Sequence, residues 1–390
     1  MSAFAFDDEH ADIREGVGKI CDQFPGEYWR ARDAGREYPE AFVQALGEAG
    51  YLAAMIPQEH GGAGLDLRAG TVILEEIHRR GCNAAACHAQ MYTMGTILRH
   101  GSEDQKKRFL PAIADGSLAL QAFGVTEPTS GTDTLSLKTT ARRDGDEYVV
   151  DGQKIWTSRA QYSDLMLLLA RTTPRAEVKK RTDGLSVFLI DLRALVGRGV
   201  TIRPIPTMIN HATTEVFFDG ARIPASSLVG EEGKGFRYIL SGMNAERILI
   251  AAECIGDAKW FLETGSRYAR EREVFGTAIG KNQGIQFPLA KAFAQTLAAE
   301  VIVARAANLY DEGTDPGIEA NTAKMLAADA SWAAGEACLQ THGGFGFAVE
   351  YDVERKWRET RLYQIAPVST NLILSFLGEH ALGLPKSYGS

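Results

Sequence analysis

Phe123-Gly124-Val125-Thr126-Glu127-Pro128-Thr129-Ser130-Gly131-Thr132-Asp133 is a glycine- and hydroxyl-rich loop, and Gly152-Gln153-Lys154-Ile155-Trp156-Thr157-Ser158 follows it further along. Backbone N–H groups and small hydroxyls of this kind approach a flat heterocycle or a phosphate without steric penalty. Taken alone, Thr-Glu-Pro and Ser-Gly-Thr-Asp are ordinary turn chemistry. Their setting gives them weight, because they open a run of short apolar or alternating segments at 148–152, 165–171, 185–191, 200–204 and 214–219, bounded by Gly, Asp and Pro. A middle β barrel or sandwich over 121–230 is expected.

On either side the periodicity is helical. Segments 39–50 and 69–80 carry apolar residues three and four apart, and long amphipathic stretches return at 236–272, 284–312, 318–342, 349–364 and 368–382. The expected class is α+β multidomain: an N-terminal all-α domain over 1–120, the β domain, and a C-terminal bundle of the four-helix type over 231–390. The polar insertion 173–183, with Arg175, Lys179, Lys180 and Arg181, reads as a solvated loop.

At 390 residues, 45% hydrophobic and 24% charged, the chain has the composition of a globular protein with a sizeable core. A net charge of -8 argues against a nucleic-acid partner. The longest apolar run, 165–170, is far short of the ~18 residues that span a membrane, and the opening Met1 to Asp8 lacks a basic, apolar leader, so a cytoplasmic protein is expected. Five scattered cysteines without a CxxC pair point to neither disulfides nor a metal site. No GxGxxG follows a strand and opens a helix, which disfavours a Rossmann dinucleotide site.

Four later elements join the two loops: Glu246-Arg247; Tyr268 to Gly276; Gln283 with Gln286-Phe287; and Gln340-Thr341-His342-Gly343-Gly344-Phe345-Gly346. In this order and spacing the set resembles the acyl-CoA dehydrogenase family over nearly the whole chain. The resemblance implies an FAD-containing homotetramer that oxidises an acyl-CoA thioester to the trans-2,3-enoyl-CoA. The α-proton goes to a base, the β-hydride to flavin N5, and the electrons on to an electron-transfer flavoprotein. Carried over by position, Phe123, Val125 and Thr126 lie along the isoalloxazine, with Gly131 and Thr132 beside flavin and thioester. Trp156, Thr157 and Ser158 sit on the other side. Arg272 reaches the pyrophosphate of a neighbouring subunit's FAD, as suits a guanidinium fork, and Phe275, Gln283, Gln340, Gly343 and Gly344 line that FAD. Ser369 and Asn371 complete the cofactor set; Thr132, Asn244 and Arg247 face the substrate. Without the resemblance, Arg272 reads as a surface residue, Gly343-Gly344 as a helix end, and Trp156 as core.

The reaction needs a base opposite the flavin. Most of the family carries it as the Glu of a Tyr-Glu-Gly-Thr sequence before the last helix. The equivalent stretch here is Tyr363-Gln364-Ile365-Ala366-Pro367-Val368-Ser369-Thr370-Asn371, with Pro367 in place of that glutamate. A minority resembling the isovaleryl- and long-chain acyl-CoA dehydrogenases place it before an arginine on a helix of the third domain, and Met243-Asn244-Ala245-Glu246-Arg247 matches that site. Independently, Ile239, Met243, Glu246 and Ile250 follow three- and four-residue steps, so Glu246 projects from an apolar stripe where lost solvation favours a stronger base. The plainer alternative is a structural ion pair. Proline also lacks the N–H that would polarise the thioester carbonyl, leaving Val368 or a ribityl hydroxyl as donor, unless Pro367 simply starts the last helix at its first position.

Asn83 stands where relatives handling dicarboxylyl groups carry an arginine, although Arg79 and Arg80 are near; His88 reads as a core or pocket-edge histidine, and His211 has no assigned role. Two other readings stay open: the same fold with altered chemistry (monooxygenase, oxidase or desulfinase), and a flavin-free scaffold.

Overall fold

The computed structural model describes residues 10–387. Its contacts divide the chain into two units interleaved along the sequence: one from 36–65 and 85–243, the other from the N-terminal segment to 35, 66–84 and 244 onward. The cut at 243/244 falls inside the helix Gly235–Glu271.

The first of these units holds an eight-stranded sheet. Its strands are β1 (Leu120–Gly124), β2 (Thr140–Asp144), β3 (Glu147–Ser158), β4 (Leu165–Arg171), β5 (Leu185–Asp191), β6 (Val200–Pro204), β7 (Thr213–Pro224) and β8 (Leu228–Val229). They run in the order β6-β7-β3-β2-β4-β5-β8, with β1 parallel to β4. The unbroken apolar run of β4 is that of a strand buried on both faces. Alternation sends Met166, Leu168 and Ala170 into one core with Tyr148, Val150, Val216 and Phe188. Leu165, Leu167 and Leu169 enter a second core with Met94, Ile97, Leu110 and Ile113 of the helices Ala85–His100 and Glu103–Ala114. Because β3 and β7 share a core with β4 and β5, the sheet curls on itself. The Glu103–Ala114 helix starts with a capping box, Ser102 Oγ accepting from Gln105 N at 3.1 Å and Gln105 Oε1 from Ser102 N at 3.0 Å.

The second unit is helical among its described residues, apart from the two-stranded hairpin at 273–278. The helix Gly317–His342 presents Ala320, Ala323, Ala327, Ala334 and Ala337, all buried, whose small side chains let neighbouring helices approach closely. The helix Leu67–Arg79 belongs here through its charges: Lys259 Nζ lies 2.8 Å from Glu75 and 2.6 Å from Glu300, and Arg14 3.0 Å from Glu75. Burial raises the pKa of Glu75, but Lys259 and Arg14 outweigh it and hold the carboxyl at about 2. Among the described residues one helix, Gln283–Asp311, is long and apolar enough to cross a membrane by length and composition, yet only 28% of its apolar window is covered within this chain. None of the five cysteines, Cys21, Cys82, Cys87, Cys254 and Cys338, is in a disulfide, and all are buried.

The last helix is Thr370–His380, capped by Ser369 Oγ, so Pro367 does not occupy its first position. That alternative for the proline is corrected: the serine hydroxyl takes the capping role, and Pro367 stays in the preceding loop.

Replacing Lys259 by Met leaves Glu75 and Glu300 buried beside each other without the cation they share, a change expected to cost about 3–5 kcal/mol in urea unfolding; a loss under about 1 kcal/mol would show the triad to be incidental.

Candidate functional site

In the sheet unit the loop after β1 is tied to β3 by a buried ion pair. Lys154 Nζ lies 2.8 Å from Glu127 Oε1 and donates to Val125 O at 3.1 Å; Glu127 also accepts from the backbone N–H groups of Lys138 (2.6 Å) and Thr139 (2.9 Å). Ile155 N donates to Thr126 O at 2.9 Å, which sets Thr126 beside the strand. Burial lowers the Lys154 pKa to about 8, against the opposing pull of Glu127. A register shift between Lys154 and Thr157 then turns Trp156 outward, with φ of +60° and 57% of its surface exposed. Trp156 is therefore not core. Phe123, Val125, Thr126 and Ser158 are half-buried, while Gly131 and Thr132 are exposed. Thr157 is buried, yet its Oγ1 has no hydrogen-bond partner among the described residues. Asn210 donates to Ser158 Oγ at 2.8 Å, and His211 lies in the same turn before β7.

The same unit holds a cleft that sequence reasoning missed, of about 390 Å³, lined by Lys138, Arg171, Arg175 and Arg181 with Leu135 and Ser136. Arg171 Nη1 is buried without a partner, while its Nη2 donates to Leu135 O at 2.7 Å. The signal was there in the cations of 173–183, but their density alone cannot separate a solvated loop from a basic cleft.

The helical unit contributes a second opening, of about 660 Å³, lined by Tyr268, Arg272, Gln340, His342, Gly343, Gly344 and Phe345 among others. The Arg272 guanidinium stands 5.7 Å from the Phe345 ring and makes no ion pair among the described residues. Gly343 has φ of +57°, and a side chain on Gly343 or Gly344 would meet nothing within 4 Å. Phe275, at φ of +53°, is fully exposed, and Gln283 is exposed as well.

Glu246 is in this unit too, buried to 8% exposure on the long helix. Its neighbour Arg247 donates to Asn244 Oδ1 at 3.1 Å while its Nε is buried without a partner. Burial lowers the Arg247 pKa, and the charge of Glu246 opposes that. From the adjacent helix Lys324 donates to the carbonyl of Val368 at 2.8 Å. Ser369 is half-buried as the helix cap, and Asn371 is exposed. Arg79 pairs with Glu263 at 2.9 Å, and Arg80 with Glu76 at 2.7 Å and Asp22 at 3.0 Å, so both guanidinia are committed to ion pairs. His78, Asp257 and Glu359 offer ligand atoms close together, but the Lys356 ammonium bonds Asp257 and lies 2.8 Å from Glu359, filling the place a cation would take.

Comparison with known proteins decides the family. Models of the acyl-CoA dehydrogenase N-terminal, middle and C-terminal domains match residues 7–117, 122–221 and 233–382. The chain belongs to the acyl-CoA dehydrogenase family. Acyl-CoA dehydrogenase FadE12 of Mycobacterium tuberculosis is 33% identical to it, over 99% of both chains. Among solved structures, butyryl-CoA dehydrogenase from Megasphaera elsdenii superposes with a TM-score of 0.90 at 27% identity, covering 97% of this chain and 99% of that one. The prolyl acyl carrier protein oxidase AnaB superposes equally well at 0.90, with 25% identity over 97% and 100%. This member of the acyl-CoA dehydrogenase family thus shares its fold with at least one oxidase.

The residues present fit the family's FAD. The orphaned Thr157 hydroxyl, the outward indole of Trp156, and the Arg272 opening with its side-chain-free glycines offer a polar contact, a stacking face and a phosphate cradle. Thr157→Val is expected to leave the apoprotein at least as stable, since its hydroxyl has no internal partner, and to weaken FAD binding by about 5- to 10-fold. Thermal unfolding of the apoprotein and a fluorescence titration with FAD measure the two; a destabilised protein with unchanged FAD affinity would count against the contact.

Proposed function

We propose that this protein is an FAD-dependent acyl-CoA dehydrogenase in which Glu246 takes the α-proton of an acyl-CoA and the product is the trans-2,3-enoyl-CoA. The observation that carries the reading is a carboxylate with 8% exposure, placed next to Arg247 on the long helix. An acid in such surroundings stands between two influences, loss of water favouring its protonated form and neighbouring cations its carboxylate. FAD, when bound, supplies the acceptor for the β-hydride. Asn244 holds the Arg247 guanidinium, and with it the side of the helix that faces the substrate in this reading. The Val368 N–H makes no hydrogen bond among the described residues, which leaves it available to polarise the thioester carbonyl where Pro367 has no donor.

Phe123, Val125, Thr126, Gly131, Thr132, Trp156, Thr157, Ser158, Ser369 and Asn371 are the groups proposed to hold the isoalloxazine and ribityl chain. Arg272, Phe275, Gln283, Gln340, Gly343 and Gly344 are proposed to hold the nucleotide end of a neighbouring copy's FAD. The fully exposed Phe275 and the poorly covered apolar helix Gln283–Asp311 support a homotetramer. The cationic cleft of Lys138, Arg171, Arg175 and Arg181 favours a substrate carrying the phosphates of coenzyme A over one held on a carrier protein. A role in fatty-acid metabolism in the cytoplasm, with an electron-transfer flavoprotein as acceptor, completes the proposal. A second reading, an oxidase on the same fold, is favoured by Pro367 and by the likeness to AnaB.

Anaerobic addition of straight, branched and unsaturated acyl-CoAs, followed at the flavin band near about 450 nm, finds the substrate class. Glu246→Gln is expected to keep its colour and lose at least ~100-fold of the reductive rate; reduction at the parent rate removes Glu246 as base. Fast oxygen consumption by the reduced protein would favour the oxidase. The matching 3′-dephospho-CoA thioester is expected to need about 10- to 100-fold higher concentration for half-maximal bleaching, in line with loss of charge-assisted hydrogen bonds, and equal concentrations would dismiss the cleft as a phosphate site.

A further inference from the structure

Among the buried ionisable groups that the mechanism above does not use, one lies beside the loop of Pro367. Lys324 is fully buried in the middle of the helix Gly317–His342, and the Val368 carbonyl takes one of its three N–H donors. It makes no ion pair among the described residues. A buried ammonium without a paired carboxylate is costly unless its charge is needed. Val368 follows Pro367, so the bond fastens to the helix the loop that stands where most of the family carries its base.

The charged and titratable groups around it come from two helices. The long helix Gly235–Glu271 supplies Cys254, Arg247 and Glu246; its own helix supplies Asp329. Burial holds the Cys254 thiol well above its ordinary pKa, hence neutral. Asp329 is exposed and bonded by Gln364 at 3.3 Å, where water screens it. Glu246 is the buried carboxyl of the set. Burial lowers the pKa of Lys324 itself, with Cys254, Asp329 and Glu246 opposing and Arg247 adding to the effect.

We propose that Lys324 is a positioning residue of the oxidation: its ammonium holds the Val368 carbonyl beside Pro367 and supplies the positive charge that balances the single negative charge shared by Glu246 and the substrate's α-carbon. The inference rests on Glu246 as base. Proton transfer moves that charge from carboxylate to enolate without changing its amount: the C–H pair becomes the enolate pair, and the proton ends on Glu246. A fixed cation therefore stabilises the pair throughout, and removing it raises the pH at which the pair gives up its first proton.

Acetoacetyl-CoA is the probe, because its doubly activated α-carbon ionises without giving up a hydride and its enolate against oxidised flavin produces a long-wavelength charge-transfer band. The holoenzyme is titrated with pH at saturating probe. Lys324→Met and Lys324→Gln are each expected to move the midpoint of the band upward by about one pH unit, the order of magnitude for removing one unit charge at an effective dielectric near ~20. Lys324→Arg restores the charge and most of the shift. Lys324→Gln keeps a donor for Val368, so a shift in that variant belongs to the charge and not to the loop. A purely structural lysine would lower the unfolding temperature and leave the midpoint in place; an unmoved midpoint in both neutral variants overturns the proposal. Glu246→Gln separates the two ideas: parent-rate flavin reduction in that variant removes the base itself, whereas an inactive Glu246→Gln beside an unshifted Lys324→Met removes the lysine's role alone.

Discussion

A carboxyl group taken out of water needs compensating charge or hydrogen bonds, and the helical unit buries one at Glu246. Glu246 sits on an otherwise apolar stretch of a 37-residue helix, next to Arg247 and in the field of Lys324. Neither cation is spent on another carboxylate: Arg247 is held by the neutral Asn244, and Lys324 by a backbone carbonyl. Elsewhere in the unit the opposite holds. Lys259, Lys356, Arg355 and Arg358 are each shared between two acids, so their charge is consumed in joining helices. The contrast separates charges that hold the scaffold from charges that the proposed reaction can use.

The sheet unit solves a different problem, how to present flat polar and aromatic surface from a loop. Glu127 gathers two backbone N–H groups and the Lys154 ammonium into one buried knot, so the loop is fixed from beneath while Phe123, Val125 and Thr126 stay partly exposed. The register shift in β3 lets one strand send Lys154 inward and Trp156 outward only two residues apart. Strict alternation would put both on the same face.

Much of this was legible before any coordinates. Apolar periodicity marked the long helices, and the apolar run at 165–170 marked a strand, which the structure shows buried on both faces. The i, i+3, i+4 pattern of Ile239, Met243 and Glu246 already pointed the acid inward. What stayed hidden depends on partners far apart in sequence. Glu127 read as ordinary turn chemistry and Lys154 drew no reading of its own, because a buried ion pair leaves no periodic trace. Lys324 lies in an alanine-rich helix where a lone lysine suggests solvent, and only the return of Val368 against that helix shows otherwise. Trp156 could be read as core since the bulge that exposes it has no signature in composition, and Pro367 could be taken for a helix start until Ser369 appeared as the cap.

The five sheltered thiols have a practical meaning of their own. Alkylation needs the thiolate; burial blocks reagent access to all five and, at Cys254 and Cys338, also keeps the proton on sulfur, the Cys338 pKa being pushed up to about 12. Modification must therefore await transient opening of the surrounding structure, and its rate becomes a clock for that opening. Four of these sulfurs, at 21, 82, 254 and 338, report on the helical unit, and the fifth, at 87, on the sheet unit, so a mass spectrum of partly labelled protein would time the breathing of each half separately.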